Sequence, residues 1–136
     1  MRRTRTATVE LVEGLLVVRV REGMRQTLDD ARANIAACED LAGGAQQRLL
    51  VDITRAAPLD PEVLRYYTGV VVVRVATALA VVVEPSPVGR MTGNVYLRVV
   101  NPGVPTRLFD AEAKAAAWLR ARRAAPRALP SVAGPR

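Results

Sequence analysis

The chain has 136 residues, enough for one domain with a real hydrophobic core. Half of them are hydrophobic, which excludes a disordered chain, and the longest apolar runs, Val70 to Val73 and Ala78 to Val83, are too short to span a membrane. The formal charge of +7 sits at the ends, on Arg2, Arg3 and Arg5 and on Arg120, Arg122, Arg123, Arg127 and Arg136, so 6–119 is about neutral and no basic face for specific nucleic-acid binding is expected.

Three Tyr, one Phe and one Trp are too few for a base-stacking platform. The basic ends therefore read as solvated tails, 1–5 in front and a Pro/Ala/Arg-rich stretch, 124–136, behind. Between them 6–123 reads as a single domain. Met-Arg-Arg-Thr-Arg has no apolar stretch behind it, so no secretory signal is expected. The single cysteine, Cys38, excludes an internal disulfide and fits a reducing, cytoplasmic setting.

In chain order, Thr6 to Val12 alternates, with Ala7, Val9 and Leu11 on one face. Glu13-Gly14 is a turn signal and Leu15 to Val20 a second strand, so the start reads as a β-hairpin. Thr27 with Asp30 resembles a capping box, with Asp where Glu is preferred. Leu28, Ala31, Ile35, Cys38 and Leu41 follow at helical spacing, and Gly43-Gly44 stops the helix. Cys38 on that stripe reads as a small buried hydrophobe.

Arg48 to Ile53 is a strand apolar on both faces, which belongs at the centre of a sheet covered by helices. Its end, from Asp52 to Glu62, meets the start of the next helix, the usual place for a site in such folds. That helix is expected from about Asp60 to about Val75. Val70 to Val73 would prefer a strand, but a parallel strand expected at Leu79 to Glu84 needs a crossover before it. Ser86 and Pro87 then open a helix running to Val100, apolar almost all round, with Gly89 and Gly93 four apart. Asn101-Pro102-Gly103 breaks it. Val104 to Phe109 is a last strand whose Pro105 suits a sheet edge, and Asp110 is placed to cap a final helix with Ala111, Ala115, Trp118 and Leu119 on its stripe.

This order, β-β-α-β-α-β-α-β-α, is carried by Leu50-Val51-Asp52-Ile53-Thr54, Tyr66 and Tyr67, Ser86 to Asn94, Asn101-Pro102, Thr106 to Asp110 and Trp118-Leu119. Together these resemble the bacterial STAS-like domains of unassigned function, which are similar in fold to the anti-sigma-factor antagonists. The resemblance spans 6–122 and implies an α/β domain with a mixed four- or five-stranded sheet, about four helices, and action by binding partner proteins. In the antagonists a serine that opens the helix after the central strand is phosphorylated. Here that place reads Asp60-Pro61-Glu62, with Thr54 the nearest hydroxyl.

No enzyme is expected. The chain has no His, which excludes triads built on it, no Cys/His/carboxylate cluster for a transition metal, and no Gly-rich phosphate loop, so no cofactor is expected either. Asp52 is the best candidate acid or base, and as a lone carboxylate it reads as a hydrogen-bond acceptor. Two functions fit: a regulatory module that binds a protein partner or itself, and a carrier or sensor of a small apolar ligand or lipid. If the strands at Leu49–Ile53 and Leu79–Glu84 are parallel neighbours, Arg55, Asp60, Arg90 and Asn94, beside Thr54, form a polar rim around Val88 and Leu97. An apolar centre with a polar rim is the anatomy of a binding surface.

Overall fold

A computed structural model describes residues 1–67, 74–85 and 104–122. Strands β1 (Arg2–Arg3), β2 (Ala7–Val12) and β3 (Leu15–Val20) precede helix α1 (Leu28–Ala42). Then come β4 (Gln47–Asp52), α2 (Pro61–Tyr67), β5 (Ala76–Val82), β6 (Thr106–Phe109) and α3 (Glu112–Ala121). The six strands lie side by side in chain order. β1, β2 and β3 run antiparallel to their neighbours in that hairpin half, and β3, β4, β5 and β6 run parallel.

The β2–β3 turn has two residues between the paired Val12 and Leu15. Both adopt positive φ, 48° at Glu13 and 82° at Gly14, the primed-turn geometry that matches strand twist. A Cβ at position 14 would also stand 3.1 Å from the Arg48 guanidinium, which would have to give by a few tenths of an ångström. At the other end of α1, Gly43 takes the left-handed conformation, and the Gly43 and Gly44 amides close on Asp40 and Glu39 carbonyls.

Each parallel crossover moves one strand further in the same direction. Right-handed connections therefore put α1 and α2 on one face of the sheet. That face buries Val9, Leu16, Val18, Leu49, Leu79 and Val81 against Ile35 and Cys38, with Tyr66 and Tyr67 at its margin. Alternate residues of the same strands, Leu15, Val17, Leu50, Ala78, Ala80 and Val82, face the opposite way, onto Ala115 and Leu119 of α3. Leu50 is 2% exposed, and burial of one such side chain stabilises by about 2 kcal/mol. Arg48, on the α3 side, donates Nη1 to the Leu119 and Arg122 carbonyls at 3.1 and 2.9 Å and so closes the end of that helix.

Three expectations need correction. The sheet has six strands rather than four or five, because residues 1–5 are not a solvated tail. Arg2–Arg3 pairs with Thr8 and Val9, a strand too short to leave a periodic pattern in the sequence. Thr4 Oγ1 donates to Asn34 Oδ1 at 2.6 Å, and Arg2 pairs with Asp40. Arg5 grips Asp30 through two nitrogens and the Arg25 carbonyl through one of them. Its guanidinium holds the Asp30 carboxyl well below the ordinary carboxylate range. The capping box is therefore shared: Asp30 bonds the Thr27 amide while also holding Arg5. The second correction is that β5 begins at Ala76 rather than Leu79, set by its register on Gln47 of β4. The third is that Asp110 does not cap the last helix. Ala111 stands at that cap with no side-chain bond, and Asp110 pairs with Lys114 at 3.0 Å. Three helices are described. The helix expected at Ser86 to Val100 lies outside the described residues, as does 124–136.

Beneath α1 lies a buried polar group of Thr6, Gln26 and Asn34, joined by the Tyr67 hydroxyl. Asn34 Nδ2 reaches Thr6 Oγ1, Gln26 Oε1 and Tyr67 Oη at 3.1, 3.2 and 3.1 Å. Asn34→Ala is expected to lower the unfolding free energy by roughly 2–4 kcal/mol in urea titration, since it leaves buried polar groups unpaired. Deletion of residues 1–5 is expected to lower the melting temperature by several degrees. A truncated chain that melts with the full one would show that the β1 contacts do not hold the fold.

Candidate functional site

The parallel strands β3 and β4 end together, with Arg19 paired opposite Asp52. Two loops leave this end of the sheet, 21–26 after β3 and 53–60 after β4. They are tied to each other. The Gly23 amide donates to the Arg55 carbonyl at 2.9 Å, Arg55 Nη1 reaches Glu22 at 3.3 Å, and Arg25 Nη2 reaches Asp60 at 2.6 Å. Arg55 and Glu22 are 72% and 75% exposed in their side chains. Ion pairs this exposed contribute only about 0–1 kcal/mol, so they shape the loops more than they stabilise the domain.

Of the expected site residues, the structure brings Thr54, Arg55 and Asp60 to this end. Arg55 and Asp60 are each paired with a charge from the 21–26 loop. Asp60 also supplies the carbonyl that accepts the Val63 and Leu64 amides, both at 3.0 Å, which starts α2. Thr54 turns inward: its amide and its hydroxyl both donate to Asp52 Oδ1. Arg90, Asn94 and Leu97, with Val88, lie outside the described residues. So does the apolar helix on which the carrier reading rests.

Reading Asp52 as a lone carboxylate missed a cluster on the α3 side of the same sheet end. Arg19 of β3 stands between three acids. Its Nε and Nη2 each reach Glu112 in the first turn of α3 at 2.9 Å, and its Nη1 reaches Glu10 of β2 at 2.7 Å. Burial, and after it the neighbouring Glu112 carboxyl, push the Asp52 carboxyl above the ordinary carboxylate range. Arg19 first, and Asp52 second, hold Glu112 below it. The Arg19 guanidinium is raised, chiefly by Glu112. A signal for this cluster was present in the sequence: Arg19 breaks an otherwise apolar strand at the position that continues the face of Leu15 and Val17. Glu112 could not be paired with it without the fold.

Other reactive groups are quiet. Cys38 is 2% exposed, and burial pushes its thiol up to about 12, so it is protonated at neutral pH. Among the described residues, no group of three or more His, Cys, Asp or Glu side chains is arranged to hold a metal ion, and no helix is long and apolar enough to cross a membrane.

The architecture is that of the STAS-like α/β domains. A family model described as "Domain of unknown function (DUF7793)" matches residues 9–123, and the chain belongs to that family. Among solved structures, an uncharacterized protein of the DUF3478 family from Shewanella loihica PV-4, described as having a SpoIIAA-like fold, aligns with a TM-score of 0.59 at 16% identity. The match covers 88% of this chain and 98% of that one, and it shows the fold alone. A protein of unknown function from Arthrobacter sp. FB24 is 26% identical over 85% of this chain and 100% of its own, with a TM-score of 0.32. No curated protein matches.

Arg19→Met is expected to lower the unfolding free energy by about 1–3 kcal/mol, because it strips from partly buried acids the cation that bridges Glu10 and Glu112. Arg55→Met, at an exposed pair, is expected to cost about 0.5 kcal/mol or less. Urea titrations of the two variants check this. Equal small effects would show that solvent screens the Arg19 cluster as fully as it screens the rim.

Proposed function

We propose that this domain is a non-enzymatic, regulatory protein-interaction module of the cytoplasm that acts by binding a protein partner or a second copy of itself. The observation that carries this reading is the pair of loops at the ends of β3 and β4. They are cross-tied by Glu22–Arg55 and Arg25–Asp60 and present alternating charges to solvent. A rim fixed before binding lowers the ordering cost of association, and its mixed signs favour a partner of complementary pattern over a polyanion. The resemblance to anti-sigma-factor antagonists, which work by binding partner proteins, supports the same class. The antagonists' phosphorylated serine has no counterpart at Asp60-Pro61, and the Thr54 hydroxyl is engaged by Asp52. The module is therefore read as acting without a phosphate switch.

The test is a sedimentation series on the wild-type chain, with affinity capture on the same purified protein. Arg55→Glu is expected to weaken whichever association is seen while the melting temperature hardly moves, since exposed substitutions usually change stability by about 0.5 kcal/mol or less. The charge-swapped pair Glu22→Arg with Arg55→Glu restores the bond within the chain. It is expected to leave association weak, because a partner reads the sign at each position. Full association in both variants, or a wild-type chain that neither self-associates nor captures a partner, would sink the reading.

A further inference from the structure

We propose that Arg107, Phe109, Trp118 and Arg122 form a docking surface for an acidic segment of a partner protein. The surface lies along β6 and α3, whereas the loop rim described above follows β3 and β4, so neither reading depends on the other.

Two aromatic rings form its centre. Arg107 and Phe109 lie two residues apart on β6 and so stand on the same side of the sheet, the side that α3 covers. The Phe109 ring meets the Trp118 ring of α3, with centroids 5.7 Å apart and planes tilted by 49°. Both rings are half-buried. Each carries a guanidinium. Arg107 stands 5.5 Å from the Phe109 centroid, and Arg122 stands 5.0 Å from the Trp118 centroid. The four side chains thus make one row: cation, ring, ring, cation. A guanidinium seated on a ring is held in place while its N–H edge can still bond a carboxylate.

The chain itself supplies no Asp or Glu to these cations. All 13 of its acids lie among the described residues, because 68–73, 86–103 and 123–136 contain none. The neighbouring cations on β3 and α3 are matched: Arg19 with Glu10 and Glu112, Lys114 with Asp110, and Arg120 with Glu13. Among the described residues, no such ion pair includes Arg107 or Arg122. Arg48, whose Nη1 holds the Arg122 carbonyl at 2.9 Å, adds another cation behind the row. Carboxylates that complement this charge must come from another molecule.

The rings decide which kind of molecule. Guanidiniums already occupy the ring faces, so the row offers a nucleic-acid strand charge without a platform for its bases. Tryptophan and arginine side by side are instead the composition of protein-interface hot spots. A segment with carboxylates on both sides of an apolar residue matches the row, its acids on Arg107 and Arg122 and its apolar side chain against the ring edges.

Trp118 is the single tryptophan, so its emission reports directly from the surface. The probe is a synthetic peptide that repeats Glu-Glu-Leu, titrated into the full chain. A saturable change in emission that weakens with added salt is expected. Arg107→Gln and Arg122→Gln are each expected to weaken binding by about tenfold or more, as truncation of a hot-spot arginine does. Arg32→Gln, an equal loss of charge at an exposed place on α1, is expected to leave it unchanged. Thermal melts check that each variant is folded. If Arg122→Gln, at the end of α3, does not fold, Arg107→Gln on the edge strand decides alone. An emission that does not respond, a folded row variant that binds as the wild type does, or an equal loss in Arg32→Gln overturns the proposal. So does an oligothymidylate of the same charge that binds as tightly as the peptide, since phosphate would then be the ligand.

Discussion

The position of β4 constrains the rest of the molecule. A strand whose consecutive leucines, Leu49 and Leu50, are both buried must have a packed layer on each side. Parallel neighbours β3 and β5 follow, and right-handed crossovers then send α1 and α2 to one face. The opposite face of the same strands would remain bare. It is covered by α3, which follows β6, the last strand among the described residues. Arg48 holds the end of that helix and the Arg19 cluster its beginning, so a single ten-residue helix is fixed at both ends by side chains of the sheet.

Polar chemistry is divided between the two faces. On the α1 side a neutral network of Thr6, Gln26, Asn34 and Tyr67 is buried and mutually satisfied, a fitted arrangement with no group left over for chemistry. On the α3 side the charges are half exposed and unequal in number, three acids around one arginine. Both lie close to loops that bear exposed, paired charges. The end of the sheet where β3 and β4 finish thus gathers the Arg19 ion pairs and the rim of the proposed partner surface. The opposite end is occupied by the closure of α3 on Arg48.

The N-terminal residues show how a charge count can mislead about structure. Arg2, Arg3 and Arg5 look like a solvated basic run, yet each meets a defined partner: Asp40 for Arg2, the β2 backbone for Arg3, Asp30 for Arg5. The acids they meet lie on α1, some thirty residues away along the chain. Net charge is additive along a sequence, whereas ion pairing depends on which faces are brought together.

Local signals were enough for most elements, because they act within a few residues. Glu13-Gly14 specifies a two-residue hairpin, Thr27 and Asp30 a helix start, Gly43 its stop, and the double-sided apolar run at β4 a central strand. From these the α/β class, the edge place of β6 and the burial of Cys38 were legible, while the STAS-like class and the mixed sheet came from the family resemblance. That Arg55 and Asp60 lie at the end of β4 follows for the same reason, since residues that follow a parallel strand emerge at its end. Tertiary structure alone decided the rest. A two-residue strand has no period to detect, and β1 exists only because β2 offers it an edge. The start of β5 is set by register against β4 rather than by its own residues. Asp52, Glu112, Arg19 and Glu10 come from four separate elements, and which acids meet which arginine depends on distances that no single stretch of chain encodes.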